Sequence, residues 1–501
     1  MLTSNPVCLQ AGPTGTEALK NLVLPGVGAF TVVDSGVVNE FDLANNFFTS
    51  QRFLGRSRAE CVTELLGELN QDVQGTAHVR DPMEIIQKDL GFFLRFSLVI
   101  ATQLDEHYLC LLGDICEKLG VALVVARTYG LMGAVRVYAK DHFCYNVNPY
   151  PAPDLRMYAA FPELQVLAQA HKEFNSHVPY VLVLCNEVNK WKLAHNGQLP
   201  STREERELFK VQVKSLSLEG EGGLLEENLT EAIRVIYLAH GKPELRQETR
   251  ELFANGKCDE MNLASENHWV LTRALRDFYY KHDEQLPVTG AIPDMTSTTQ
   301  LFVQVQQCFN VKSKQDYDEF SLLVDKALEL AGKPMDSLAQ EERATYFKYN
   351  ASQMNLCYRS PRLEFMSPMV DQVPWCDTEL NPFVWYLVWR ACDWMFHFTG
   401  QYPGSQPTAT AEELELQAVQ LHAKAVAMTL EHFAEFDSKL VSLNVCREMV
   451  RFGAVEMHNI AAVVGGIAAQ EAVKLLTHQY EPLNHTYFFN GITAQGANWS
   501  L

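Results

Sequence analysis

Two short stretches of this sequence hold residue types that could do chemistry. The first is AGPTGTE, where Gly12 and Gly15 lie between an apolar run and a helical pattern. Glycines at such a junction permit a tight turn and close approach to a phosphate, which the helix N-terminus would face. Asp34 ends the next apolar run about twenty residues later, where an acid that holds a ribose belongs. Against a working nucleotide site, a third glycine is missing, Pro13 removes an amide donor, and Glu17 adds negative charge near the phosphate position. The pattern favours a turn that packs a strand on a helix, with Asp34 capping or stopping the strand. The second stretch is VPWCDTEL, in which Cys376 precedes Asp377. A neighbouring carboxylate raises a thiol's pKa, and no adjacent Arg or Lys favours the thiolate. Cys376 therefore reads as a partly buried turn cysteine.

Other polar and aromatic candidates are weaker. Cys185 lies on an apolar run that reads as a strand, and Cys308 lies on a helix, so both are expected in the core. Trp385, Trp389 and Trp394 follow roughly helical spacing and are also expected to pack. His422 and His432 lack the convergent ligands of a metal site. His458 follows Glu456 at a helix start, where a capping or charge–dipole role competes with chemistry.

The chain has 501 residues, 41 Lys+Arg and 61 Asp+Glu, for a net charge of −20. That acidic excess argues against a nucleic-acid binder, which needs a basic surface for phosphates. The hydrophobic share of 47% fits a folded chain with a sizeable core, at this length divided among several domains. The opening MLTSNPVCLQAGPTG has no basic stretch before an apolar core, so no secretory leader is expected. No uninterrupted apolar run reaches the ~18 residues of a membrane span; NIAAVVGGIAAQEAVKLL carries Gln470, Glu471 and Lys474 and reads as a core helix. The 12 cysteines form no CxxC pair, which predicts reduced thiols rather than a disulfide framework or zinc.

Positioning these residues falls to an alternation of elements. PVCLQ, AFTVVD, FSLVIAT and VALVVA are strand-length apolar runs, separated by helical patterns such as TEALKNLVL and DEHYLCLLGDICEKL. Such alternation predicts a doubly wound α/β domain with a parallel sheet over residues 1–150, extended by a further strand after Arg127. Residues 151–381 read as a mainly helical insertion, with loops at Gly220–Gly223 and at LPVTGAIPDM, Leu286–Met295. Residues 382–501 carry three further helices and the alternating run NHTYFFNG, which is expected to return to the first sheet.

Several of these segments together resemble the adenylation domain of the ubiquitin-like-activating enzymes. They are TGTEALKNLVLPGVGAFTVVD, FDLANNFFTSQRFLGRSRAECVTELLGELN, ARTYGLMGAVRVYAKDH, HNIAAVVGGIAAQEAVKLL and NHTYFFNG. LPVTGAIPDM, Asn45–Phe48 and EMHNIAAVVGGIAAQE narrow the resemblance to the regulatory subunits of neddylation activating enzymes, over nearly the whole chain. The resemblance implies a Rossmann-like fold interrupted by a degenerate catalytic-cysteine-type domain, and a heterodimer. It places ATP, magnesium, zinc and the thioester cysteine on a catalytic partner subunit, and no cofactor or catalytic residue on this chain. The complex would activate the neddylation modifier, pass it to a conjugating enzyme and so to cullins, in cytoplasm and nucleus. Active members carry an Asn-x-x-Arg-Gln-like run whose arginine meets ATP phosphate; here Asn45 and Asn46 stand in place of arginine and glutamine. A neutral amide supplies no charge against a triphosphate. Members also open with a helical segment whose arginine reaches the partner's ATP; here Met1 falls a few residues before PVCLQ, so that arginine is not expected from these 501 residues. The helix after the Ile-Pro-Asp-Met loop contributes to partner binding in the family, which makes Phe302, Val303, Val305, Phe309, Lys312 and Lys314 interface candidates, alongside the reading of a core helix. Two other functions stay open at this level: an interaction scaffold without an activating role, and a stand-alone nucleotide-dependent oxidoreductase.

Overall fold

The computed structural model describes residues 4–147, 154–218 and 224–501. The chain forms two compact units, one made of the chain through Cys144 together with Leu356–Leu501, the other of Tyr145–Asn355.

The first unit is built on an eight-stranded sheet. Its strands are β1 (Pro6–Leu9), β2 (Ala29–Val33), β3 (Gln74–His78), β4 (Leu98–Thr102), β5 (Ala122–Tyr129) and β6 (Met132–Tyr138). Next in chain order come two short strands outside this sheet, β7 (His142–Cys144) and β8 (Met354–Leu356), and the eight-stranded sheet is completed by β9 (Thr486–Asn490) and β10 (Gln495–Trp499). The order is β10-β9-β6-β5-β4-β1-β2-β3. Strands β1 to β5 are parallel to their neighbours, while β6, β9 and β10 add on antiparallel. This is the doubly wound arrangement that the alternation predicted, and NHTYFFNG does rejoin the sheet, as β9. The reversal of strand order between β1 and β4 opens a crevice at their carboxyl ends, the usual place for a ligand in such sheets.

Strands β1, β4 and β5 are buried nearly throughout, as expected for strands covered on both faces. Helix α1 (Pro13–Val23) packs against the long helix His458–Thr477. In that long helix Ile460, Ala461, Val464, Ala468, Ala469, Ala472 and Leu475 are core residues, so its apolar length serves packing. The helix Pro382–Thr399 is anchored by charge as well as by packing. Arg127 at the end of β5 donates to both carboxylate oxygens of Asp393 at 2.7 Å, and Arg390 donates to Glu106 at 2.7 Å. Trp385 and Trp389 are buried there as expected, but Trp394 is 40% exposed, because it falls beyond the face that meets the sheet.

The second unit is helical, as predicted for the insertion. Its helices include Tyr180–Ala194, Arg203–Lys214, Asn267–Lys281 and the 33-residue Thr299–Ala331. Thr298 caps the last of these through the Leu301 amide, and Gly332, with φ of 67°, ends it. YVLVLCNEV, which read as a strand, is the start of the helix Tyr180–Ala194. That helix is buried on nearly every side, so its apolar residues form a continuous run without helical spacing. Cys185 is fully buried there and Cys308 nearly so. The expected insertion boundary at Pro151 and the loop at Gly220–Gly223 lie outside the described residues. At the other end the helical unit stops at Asn355, not at residue 381. Residues 356–381 belong to the α/β unit: the helix Pro361–Met366 packs on Glu106–Leu119, and Arg362 pairs with Asp114. That stretch is short and irregular, so no change of periodicity marked it.

Candidate functional site

The glycine turn lies at the carboxyl end of β1. Gln10, with φ of 70°, swings the chain off the strand, and the turn leads directly into α1. A left-handed residue without a glycine's freedom is strained, and its position at a ligand crevice fits a functional origin. Gly15 is required by space: a Cβ there would lie 2.5 Å from the Gln10 carbonyl oxygen and 3.0 Å from Cys8 Sγ.

Helix α1 has Gly12 as its N-cap and Pro13 at the first turn, so no local side chain caps it. The cap comes from Glu456. One carboxylate oxygen, Oε2, accepts from the Thr14 amide at 3.1 Å and from the Thr14 hydroxyl at 2.6 Å. The Thr128 hydroxyl lies 3.1 Å from that of Thr14. The other oxygen lies so close that a Cβ on Gly12 would sit 2.5 Å from Oε1. An acid here satisfies the orphan amide of Thr14 and meets the positive end of the helix dipole, just as a ligand phosphate would. Burial raises the Glu456 pKa above its ordinary 4.5, against the opposing pull of the Thr14 hydrogen bonds and of Arg58.

Asp34 is equally committed. Its Oδ2 accepts from the Ala11 amide at 2.7 Å and its Oδ1 from the Gly36 amide at 2.6 Å. Arg58, on α3 (Arg58–Leu69), donates to the same two oxygens at 2.9 and 3.2 Å, and to Asp42 at 3.1 Å. Burial pulls the Arg58 pKa down, but the two carboxylates outweigh it and hold the guanidinium above its ordinary value. Asp34 thus ties the strand end to the turn, as the sequence suggested, and its oxygens have no lone-pair direction left for a ribose.

Asn45 and Asn46 close the other side of the turn. The Asn46 amide donates to the Ala11 carbonyl at 3.3 Å, and its oxygen accepts from Thr16 at 3.2 Å and from the Phe48 amide at 3.0 Å. Asn45 donates to the Glu456 carbonyl at 3.0 Å. The degenerate positions Gly12, Gly15, Asp34, Asn45 and Asn46 therefore do come together, as a bracing network. Glu17, taken from the sequence as the charge near the phosphate position, instead pairs with Lys20 on α1. Glu456 holds that position. It and Arg58 escaped the sequence reading because they lie 442 and 24 residues from their partners, and no local spacing connects them. His458 begins its helix and stacks on Phe47, with ring centroids 6.2 Å apart.

The thiol and interface candidates resolve differently. Cys376 is half-buried and its pKa is pushed up to about 11, by burial first and by Asp377 second. It is not poised as a nucleophile. Among the described residues no two cysteines form a disulfide, and no group of three or more metal-ligating side chains is placed to hold an ion. Of the interface candidates, Val305 and Phe309 are fully buried in the helical unit's own core, Phe309 edge-to-face with Phe161. They are packing residues, since that core already covers their side chains. Phe302 is half-buried against the same core, and Lys312 pairs with Asp316 at 2.8 Å. Val303 and Lys314 are exposed.

Comparison with known proteins agrees with this geometry. The ThiF family profile matches residues 2–500. The NEDD8-activating enzyme E1 regulatory subunit of Danio rerio is 34% identical over 99% of this chain and 94% of its own length. The NEDD8-activating enzyme E1 regulatory subunit AXR1 of Arabidopsis thaliana is 35% identical over 97% of this chain and 90% of its own length. The regulatory subunit of Saccharomyces cerevisiae is more distant, at 23% identity over the full chain.

Proposed function

This chain belongs to the ThiF family and, within it, to the NEDD8-activating enzyme E1 regulatory subunits, and from that premise we propose that it is the non-catalytic half of a heterodimeric activating enzyme. Its partner is a catalytic subunit that holds ATP, magnesium and zinc and carries the thioester cysteine. Together they adenylate the C-terminus of the neddylation modifier, convert it to a thioester and pass it to a conjugating enzyme for transfer to cullins, in cytoplasm and nucleus.

The observation that carries this reading is the state of the glycine turn. The sheet has the topology of a nucleotide-binding fold and the crevice where a nucleotide would lie. Yet the chain's own side chains take both of the positions a nucleotide needs, Glu456 at the phosphate and Asp34 locked by Arg58 at the ribose. A dehydrogenase would need both positions free, which leaves the stand-alone oxidoreductase without a site.

The test is reconstitution. This chain, mixed with a neddylation catalytic subunit, modifier and ATP, is expected to elute as a one-to-one complex and to form modifier thioester on the partner alone. Absence of a complex between two folded proteins contradicts the proposal. A complex that forms no thioester identifies a scaffold instead.

A further inference from the structure

The segment that delivers Glu456 is built to hold it in place. It links the helices Leu443–Phe452 and His458–Thr477, and begins with two successive left-handed residues, Gly453 at φ of 55° and Ala454 at 60°. Ala454 adopts that conformation at a cost of about 1 kcal/mol, which the contacts that follow must offset. The Val455 carbonyl accepts from the Gly130 amide at 2.8 Å, so the segment pairs with the hairpin between β5 and β6. A Cβ on Gly130 would lie 2.2 Å from the Phe452 ring, so the hairpin must carry glycine to come this close. Asn45 then holds the Glu456 carbonyl and Thr14 its carboxylate. The segment is fixed at the tip of the β5–β6 hairpin, at α2 (Glu40–Asn45) and at α1, and its only charged group points into the glycine turn.

We propose that Glu456 is a tethered anion: a ligand carried by the chain itself, which occupies the phosphate position of the glycine turn and keeps phosphoanhydride ligands out of this subunit. The geometry supports this in two ways. The carboxylate takes the amide and hydroxyl of Thr14 that a phosphate would use, and it stands over Gly12, where the backbone has to be bare for a phosphate to approach. A covalently attached ligand is present at a high effective concentration, so a free anion must displace it against that advantage as well as against its charge. The purpose assigned to the seal, one nucleotide site in a complex of two related subunits, rests on the proposed function. The seal itself does not, and its test needs no partner.

The experiment uses the full chain with Glu456→Ala, with inorganic pyrophosphate and formate as probes. Thermal midpoints are followed against probe concentration, with sodium chloride at matched ionic strength as the control. The wild type should respond to neither probe beyond the salt control. E456A should melt lower than the wild type and gain at least about 2 °C as either anion fills the vacated position. An equal response from wild type and E456A overturns the proposal, as does a folded E456A that responds to neither probe. Should E456A fail to fold, E456Q keeps the side chain's shape and removes its charge. Amide hydrogen exchange at Thr14 should then quicken by about fivefold, since a charged acceptor has become a neutral one. Unchanged exchange at Thr14 in E456Q overturns the proposal equally.

Discussion

Arg58 grips Asp34 through two nitrogens, Nε to Oδ2 at 2.9 Å and Nη2 to Oδ1 at 3.2 Å. The acid that an active relative of this fold would turn towards a ribose is turned inward to a cation on the neighbouring helix. Arg58 also holds Asp42, so one guanidinium neutralises two buried carboxylates. Replacing it with methionine strands both, and removing one partner of a buried pair costs about 3 kcal/mol or more. Denaturant titration of R58M should show a loss of that size. R58M/D34N should recover part of it, because one of the stranded charges is gone. A loss below about 0.5 kcal/mol would assign the pair to the weak class of exposed ion pairs.

The helix Thr299–Ala331 separates packing from association. Phe309→Ala removes a fully buried ring from the helical unit and should cost about 3–5 kcal/mol of stability. Val303 is 45% exposed, and Lys314 is exposed on the same helix. V303D/K314E should leave the melting temperature within a degree or so. If this face meets the catalytic subunit, the double variant weakens the complex about tenfold or more by titration. Unchanged affinity places the interface elsewhere.

Cys376 offers a test of the division of labour. Its thiol is held protonated at neutral pH, with a pKa pushed up to about 11 by burial and by Asp377. C376A should leave modifier–thioester formation by the reconstituted enzyme unchanged on a non-reducing gel. A clear loss of thioester would make that thiol a participant.

Two buried histidines predict sensitivity to acid. Burial, with some help from His478, lowers the His142 pKa from 6.5 to about 3. Burial, with Arg136 and Arg359, lowers that of His485 to about 4. In the unfolded chain both titrate near 6.5, so the unfolded state binds more protons between about 6.5 and the folded values. Stability is therefore complete above pH 6.5 and falls as the pH drops towards 4 and 3. H142F should flatten part of that acid limb in melts between pH 7 and 4. An equal slope in wild type and H142F would contradict the assignment.

Much of the fold could be read from the sequence because its elements are local. Strand-length runs such as FSLVIAT and helical patterns such as DEHYLCLLGDICEKL recur in alternation, and NHTYFFNG carries its own period. The reading failed where burial erased the period, as in YVLVLCNEV, or where no period exists, as in residues 356–381. The candidate site was legible in part. Gly12, Gly15 and Asp34 were found because a ligand turn has a fixed local spacing, whereas Asn45 and Asn46 stood out only through the family resemblance. That this turn is filled was not legible. The residue that fills it arrives from 442 positions away, and a lone Glu before a helix looks the same whether it points to solvent or into a cradle. Arg127–Asp393 was hidden for the same reason, with 266 positions between the partners.

In the proposed role this subunit supports activation without a nucleotide site of its own, and counting adenylate puts that to the test. The heterodimer, reconstituted with a catalytic subunit and saturated with modifier and radiolabelled ATP, should form one equivalent of modifier adenylate per complex, with no nucleotide cross-linked to this chain. Two equivalents per complex, or photo-crosslinked ATP recovered on this chain at Gly12–Thr16, would contradict it.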